Sequence, residues 1–172
     1  MKHLFLVFSI PLLLVFGFGC AAKKQEMQAD TGSCESYKSY ASVTFEVEGD
    51  LSELVEKTAK KALARSCFKK SDQSTANMRI QIKSEETKLK ESGFIKSKYD
   101  NTFRINIVAI MLIPTQQGGL TTLTSNQHAS LNIKSEPIAD IGSKAELSEK
   151  ELIPFIEENV SVALVNLWKE MP

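Results

Sequence analysis

ASVTFEVEGDLSELVEKTAKKALARS, Ala41 to Ser66, decides the fold of this chain. Its first eight residues alternate between apolar and polar side chains, which predicts a half-buried strand over Ala41–Glu48. Apolar residues then recur at helical spacing and predict an amphipathic helix over Leu51–Ser66, with its lysines toward water. Asp50 followed by Glu53 resembles a capping box at the start of this helix.

Three further strands are expected downstream of this strand–helix unit. Asn77–Lys83 alternates again, and the charged stretch Ser84–Asp100 is interpreted as the tip of a long hairpin. Thr102–Ile113 is the most hydrophobic strand, and its distal half is apolar on both faces, as in strands covered on both sides. Leu120–Lys134 is a second long strand, and its less regular alternation is compatible with a bulge.

A second helix is expected near the C-terminus, and its start has two interpretations. Ser148 with Glu151 forms a capping-box pattern, yet Pro154 lies inside the helix that this pattern would begin. Either a short first turn ends at Pro154, or Pro154 is the first residue of a helix over Pro154–Lys169, where its missing N–H costs nothing.

This order of elements, β-α-β-β-β-α, predicts an α+β domain over residues 41–172. We expect two helices packed on one face of a four-stranded, mostly antiparallel sheet. The first two strands, joined through a helix, would be parallel if adjacent, with a right-handed crossover.

The N-terminal stretch Met1–Cys20 has the pattern of a secretion signal. A positive Lys2 precedes an uncharged apolar run over Leu4–Phe18, which is at the short end for a membrane span. We therefore expect a signal peptide over residues 1–19 and a flexible tether over residues 20–40. A signal peptide cut elsewhere and an uncleaved N-terminal span remain open as alternatives.

Gly19 followed by Cys20, directly after the apolar run, resembles the lipobox of bacterial lipoproteins. The resemblance implies cleavage before Cys20, a diacylglycerol on its thiol and acylation of its new amino group, with palmitate as a typical acyl chain. It also implies a protein anchored in the cell envelope. Because Ala21 stands where an aspartate would signal retention in the inner membrane, the outer membrane, on its periplasmic side, is the expected location.

Cys34 and Cys67 are the two remaining thiols, and an oxidising compartment allows them to pair. The strand and the helix run for similar lengths in opposite directions, so the end of the helix returns to the level at which the strand began. A disulfide between Cys34 and Cys67 is one interpretation, and two free cysteines are the other.

Composition and motifs argue against several functional classes. The chain has 21 basic and 21 acidic residues, which gives no general attraction to nucleic acid, and 42% hydrophobic residues, as in a globular domain. No metal-ligand spacing and no phosphate-binding or dinucleotide-binding motif occurs, so no metal and no cofactor is expected. His128 lies near Ser125 and Ser130 in a predicted strand, without a nucleophile elbow. We therefore expect a protein that is not an enzyme.

Two regions are candidates for binding. The hairpin tip is basic and partly apolar, and it could contact lipid phosphates or an acidic partner, or remain a solvated hairpin. The distal half of the hydrophobic strand exposes apolar side chains if both helices cover the opposite face, unless the tether or a neighbour covers it. The candidate residues are Lys88, Lys90, Phe94, Lys96 and Lys98 at the tip, and Val108, Ile110 and Leu112 on the strand.

The order of elements after the lipobox cysteine is similar to that of the lipopolysaccharide-assembly lipoproteins, which plug an outer-membrane β-barrel. This resemblance implies a non-catalytic envelope lipoprotein that binds a protein or glycolipid partner, such as an outer-membrane β-barrel, in outer-membrane assembly or maintenance. A small-ligand-binding or enzymatic periplasmic domain is one alternative. A purely structural accessory lipoprotein is another.

Overall fold

The strands and helices of a computed structural model follow the predicted order, with two short additional strands. The structure describes residues 34, 36–92, 97–135 and 145–172. The expected signal peptide, Cys20, most of the tether, Phe94 and Lys96 lie outside these residues. The elements are β1 Lys38–Tyr40, β2 Ser42–Gly49, α1 Ser52–Ala64, β3 Phe68–Lys70, β4 Asn77–Ser92, β5 Ser97–Pro114, β6 Leu120–Ser135 and α2 Glu149–Glu170.

The main sheet has four strands in the order β2-β4-β5-β6. β2 runs parallel to β4, its neighbour across α1, with Phe45 opposite Ile80. β4, β5 and β6 are joined by antiparallel pairing. The predicted α+β class, the parallel first pair and the mostly antiparallel sheet are confirmed.

Both helices pack on one face of this sheet, which we call the covered face. The strand residues beneath them recur with a period of two, because alternate side chains of a strand point to one side. Ile80, Ile107 and Phe103 are fully buried there, against Val55 of α1 and Ile156 of α2. The opposite side of the sheet, which no helix covers among the described residues, is called the open face.

The start of α1 differs from the predicted capping box. No side chain caps the helix, and Leu51 at its N-terminal boundary adopts a left-handed conformation with φ of 57°. The carboxylate of Asp50 instead accepts the backbone N–H of Glu86 at 2.8 Å, which ties the turn to β4. Gly49 is required before it, because a Cβ at its position would lie 1.9 Å from the carbonyl oxygen of Ser84.

The long hairpin expected around Ser84–Asp100 is present, and its strands extend further toward the tip than the predicted strand ends, Lys83 and Thr102. β4 continues to Ser92 and β5 begins at Ser97, so most of the charged residues belong to paired strands. This charged arm of β4 and β5 has no apolar alternation, and its backbone ladder forms without one.

β6 keeps an unbroken register with β5 from the pair Pro114–Leu120 to the pair Tyr99–Ser135, so it contains no bulge. Its alternation is irregular because its covered-face positions are filled by polar as well as apolar residues. Gln127 is one of them, and its side-chain amide donates to Oδ1 of Asn159 on α2 at 2.9 Å.

α2 begins at the predicted capping box, and both interpretations of Pro154 as an end or a start of the helix are wrong. It begins after Ser148, whose backbone N–H and hydroxyl both donate to the Glu151 carboxylate, at 3.1 and 2.7 Å. The hydrogen bonds from Ser148 lower the pKa of Glu151. The helix then continues through Pro154 instead of ending or beginning there. Pro154 therefore lacks the N–H that would bond to the carbonyl of Lys150.

Part of the predicted tether is structured. Lys38–Tyr40 forms β1 and pairs in parallel with β3, a strand that the sequence pattern does not indicate. Cys34 and Cys67 form a disulfide, with their Cα atoms 5.6 Å apart. The predicted cysteine pair thus holds the start of the described chain to the end of α1.

Within the described residues, neither helix combines the length and the apolar character that crossing a bilayer requires.

Candidate functional site

The open face carries an apolar strip at its centre. Val108, Ile110 and Leu112 are spaced by two residues along β5 and point away from the helices, opposite to their buried neighbours Ile107 and Met111. All three are partly exposed. The neighbouring strands supply a polar border, because the residues beside the strip are Gln81, Arg79 and Asn77 on β4, and Asn126, Thr124 and Thr122 on β6.

A polar groove of about 710 Å³ adjoins this strip on the open face. Strand register explains its composition. One row across the sheet contains Glu48, Lys83, Asn106 and His128, and the next contains Glu85, Arg104 and Ser130. These seven residues line the groove and come from all four strands, so the groove exists only once the sheet has formed.

The groove contains charges of both signs. Lys83 pairs with Glu48 at 3.4 Å, and both side chains are about three-quarters exposed, so this ion pair contributes little to stability. Arg104 lies directly opposite Glu85 in the register but forms no ion pair within the described part of the chain. Arg104 can therefore turn its guanidinium toward an acceptor on a ligand or partner.

Asn106 lies at the floor of the groove. Its Oδ1 atom is buried and has no hydrogen-bond partner among the residues that the structure describes. A buried acceptor without a partner is unfavourable by about 1–3 kcal/mol. A donor on a bound molecule would satisfy it.

His128 is exposed on β6 and shares the groove with Ser130. No hydrogen bond joins the two side chains within the described residues. Ser125 points to the covered face, where its hydroxyl is buried, because residues at odd spacing in a strand face opposite sides. The structure therefore does not bring His128 and Ser125 together.

The predicted basic cluster at the hairpin tip is divided between two faces. Lys88 and Lys90 lie on the covered side of the arm, whereas Lys98 lies on the open side, because strand side chains alternate. Lys88 forms an ion pair with Glu86 at 3.2 Å, and the ammonium of Lys90 lies 5.3 Å from the ring centre of Tyr99. These three lysines of the described part of the tip therefore do not form one patch.

Asp100 anchors a polar cluster that joins β5 to β6 on the open side of the arm. Its carboxylate accepts from Asn132 at 2.6 Å and Thr102 at 3.3 Å, and Lys134 lies 3.4 Å away. Partial burial acts to raise the pKa of Asp100, but the hydrogen bonds from these three residues and the charge of Lys134 outweigh it and lower the pKa.

No group of three or more histidine, cysteine, aspartate or glutamate residues that could hold a metal ion occurs in the ranges that the structure describes.

Comparison with known proteins gives similarity of fold alone. No protein-family model matches the chain, and no curated protein matches it. A solved structure described as a neuraminyllactose-binding hemagglutinin homolog from Helicobacter pylori is 11% identical, with a TM-score of 0.42, covering 82% of this chain and 90% of that one.

Two lipoproteins also have similar structures. A lipoprotein from Caulobacter crescentus is 15% identical, with a TM-score of 0.38, covering 76% of this chain and 93% of that one. Rare lipoprotein B from Shewanella oneidensis is 14% identical, with a TM-score of 0.31, covering 76% of this chain and 92% of that one. No ligand or partner of the present chain follows from likeness at this level.

The apolar strip could be located from the sequence, whereas the polar groove could not. Alternation along one strand places Val108, Ile110 and Leu112 on one face. Grouping Lys83, Arg104 and His128 requires the register between three strands, which no local pattern reports. The isolated polar Asn106 within the apolar run was the one available signal.

Proposed function

We propose that this chain is a non-catalytic envelope lipoprotein, anchored through Cys20, that binds a protein or glycolipid partner of the outer membrane through its open face. The observation that carries the proposal is the apolar strip at the centre of that face. Both helices lie on the covered face, so the fold does not require apolar residues on the open face. Three aliphatic residues nevertheless lie at the centre of the open face.

The position of the strip supports binding rather than folding. Val108, Ile110 and Leu112 are partly exposed in the described structure and would lose more water on contact with another molecule. Each square ångström of apolar surface removed from water contributes about 25 cal/mol. Contiguous apolar surface bordered by polar residues is typical of interaction sites.

The polar groove beside the strip adds hydrogen-bonding capacity. Arg104 has no ion-pair partner among the described residues, and Asn106 presents a buried acceptor. A partner with an apolar part and a polar part could place the first on the strip and the second in the groove. Both a glycolipid and the surface of a membrane protein have this character.

The anchor is supported by the pattern of Met1–Cys20 and by the disulfide, which suits an oxidising compartment. Mass spectrometry of the mature protein tests it. We expect an N-terminal peptide that begins at Cys20 and carries acyl chains, and we expect globomycin and Cys20→Ser to leave the precursor uncut. An unmodified Cys20 in a protein recovered from the cytosol would overturn the anchor.

Binding through the open face is tested by crosslinking the full chain in intact cells and identifying the adduct by mass spectrometry. We expect one outer-membrane protein or glycolipid to be captured by the wild type and lost in Ile110→Asn. The matched control is Ile153→Asn, since Ile153 is also partly exposed but lies on α2. Capture that is equal in both variants, or no capture by the wild type, would overturn the proposal.

A small polar ligand in the groove is a second candidate, and the unpartnered Oδ1 of Asn106 is the observation that favours it. In that case Asn106→Leu and His128→Ala would abolish binding, and Ile110→Asn would leave it unchanged. The two sets of variants therefore distinguish the candidates.

A further inference from the structure

We propose that two copies of this chain associate through the outer edge of β6, which would join their sheets into one continuous eight-stranded sheet. β6 is the last strand of the main sheet and runs for 16 residues. Among the described residues, none pairs with its outer edge. The inference does not depend on the proposed function of the open face.

The turn before β6 shows which of its backbone groups point outward. The N–H of Thr115 donates to the carbonyl of Gly119 at 2.9 Å, so these two residues are a hydrogen-bonded pair. Because the antiparallel register is unbroken, every second residue from Gly119 onward bonds to β5. The even-numbered residues from Thr122 to Asn132 therefore direct their N–H and C=O groups away from the sheet.

From Leu120 to Ile133 this edge lacks four of the features by which sheets prevent edge pairing, which are charged side chains, proline, bulges and short length. It contains no lysine, arginine, aspartate, glutamate or proline over this stretch. The opposite edge differs, because β2 has eight residues and carries Glu46 and Glu48, which pair with Arg79 and Lys83. Within the described residues, β2 therefore has protective features that β6 lacks.

The side chains of β6 favour a second copy of the same strand as the occupant. In an antiparallel pair related by a two-fold axis near His128, threonine, serine and asparagine side chains of one copy lie opposite those of the other. The one formal charge in the strand, Lys134, would lie near Leu120 or Thr122 of the other copy. No like charges oppose each other, and such polar cross-strand pairs are favourable.

The helix layer has space for the same arrangement. α2 packs over β5 and β6, and the bond from Gln127 to Asn159 places one flank of the helix above β6. Strands are about 4.8 Å apart, so a two-fold axis beside β6 would separate the two α2 helices by about 10 Å, which is a normal distance for packed helices.

α2 also has apolar residues that lie outside the core of the domain. Val162 lies three residues after Asn159, on the same side of the helix. It is partly exposed and does not belong to the core cluster, and Val165 is 41% exposed. Contact between the two α2 helices would bury Val162, so strand pairing and helix packing favour the same two-fold arrangement.

Sedimentation velocity of the full chain extracted in detergent, with Thr124→Lys and Thr44→Lys as matched variants, tests this inference. Both threonines are exposed, lie on the open face and belong to an edge strand. Lysine is used because the N–H of Thr44 points into the sheet, as the bond from the N–H of Asp50 to Ser84 at 3.1 Å shows for alternate residues of β2. Each lysine adds one charge to an edge strand and leaves every backbone donor in place.

We expect the wild type and Thr44→Lys to sediment as dimers, and Thr124→Lys as a monomer with an unchanged circular dichroism spectrum. Two anchors sharing one micelle would not distinguish the two lysines, so this control excludes that artefact. A monomeric wild type, or equal association of both variants, would overturn the inference.

A second variant strengthens the perturbation, in case one lysine is not enough to separate the two copies. Thr124→Lys combined with Ser130→Lys places two charges on the outer edge of β6 at exposed positions, so folding should be unchanged. We expect a monomer, together with faster hydrogen exchange of the even-numbered amides of β6 than in the wild type. Equal exchange in the two proteins, or an edge occupied by a different protein, would contradict pairing between copies.

Discussion

Apolar residues of β5 are buried on one face of the main sheet and partly exposed on the other. On the covered face, Phe103, Ile107 and Met111 of β5 have no exposed surface, because α1 and α2 lie over the sheet. On the open face, Val108 and Ile110 of the same strand remain partly exposed. Apolar residues one position apart thus differ in role because helices cover only one side. The covered face holds the fold together, and the open face is available to a partner.

The two faces should differ most in how far truncation of a side chain lowers the free energy of unfolding. Phe103 is fully buried and packs edge-to-face on Phe155 of α2, with ring centres 6.2 Å apart. We expect Phe103→Ala to lower the free energy of unfolding by about 3–5 kcal/mol. Ile110→Ala on the open face should lower it by about 1 kcal/mol, since only part of its surface is buried. Urea unfolding of both variants measures the difference, and equal losses would show that the open face is also covered.

The disulfide is expected to have the next largest effect, and it acts on the helix side of the sheet. Cys34 and Cys67 close a loop with a sequence separation of 33 residues at the end of α1. Replacing both by serine should lower the free energy of unfolding by about 3–4 kcal/mol in the chain-entropy model. Binding at the open face should be retained at temperatures at which the variant is folded. Reduction of the wild type is the control and should have a similar effect.

Pro154 should produce a smaller change of opposite sign. It lies inside α2, where its ring leaves one helical carbonyl without its usual donor. We expect Pro154→Ala to raise the free energy of unfolding by about 1–2 kcal/mol, since the restored bond is partly offset by a more flexible unfolded chain. Glu158→Ala, at an exposed position one turn further along, is the control and should change little. A less stable Pro154→Ala would mean that the proline has a structural role in the helix layer.

The smallest effects are expected in the titration of two carboxyls, one on each side of the sheet. The pKa of Asp100 on the open side and that of Glu151 at the start of α2 are both lowered. Each group therefore stabilises the folded state at neutral pH, and this contribution is lost as the pH falls through the acidic range. Two-dimensional NMR titration should give both midpoints below those of ordinary carboxyls. Asn132→Ala should raise the Asp100 midpoint alone, and Ser148→Ala the Glu151 midpoint alone.

Regular alternation accounts for the elements that could be predicted. β2, β5 and β6, both helices and the parallel pairing of the first two strands of the main sheet follow from hydrophobic period and from the order of elements. The disulfide between Cys34 and Cys67 follows from the lengths of one strand and one helix. In each case the signal is local, or depends on a distance that regular geometry sets.

The features that were missed have no local signal. β1 and β3 have three residues each, too few for a period, and they are held by each other and by the adjacent disulfide. The charged arm of β4 and β5 forms a paired ladder without apolar alternation, so no period marks it in the sequence. Asp50 resembles a helix cap, but the close approach of Gly49 to Ser84 directs its carboxylate to β4 instead.

The sequence by itself determined the class of the fold, the residues of the core and the apolar strip, because the period of a strand or helix assigns each side chain to a face. The tertiary structure decided which face the helices cover, how the polar groove is assembled from four strands and that β6 is an edge strand of the main sheet. These depend on strand order and register, which are set by packing between segments that are distant in the chain.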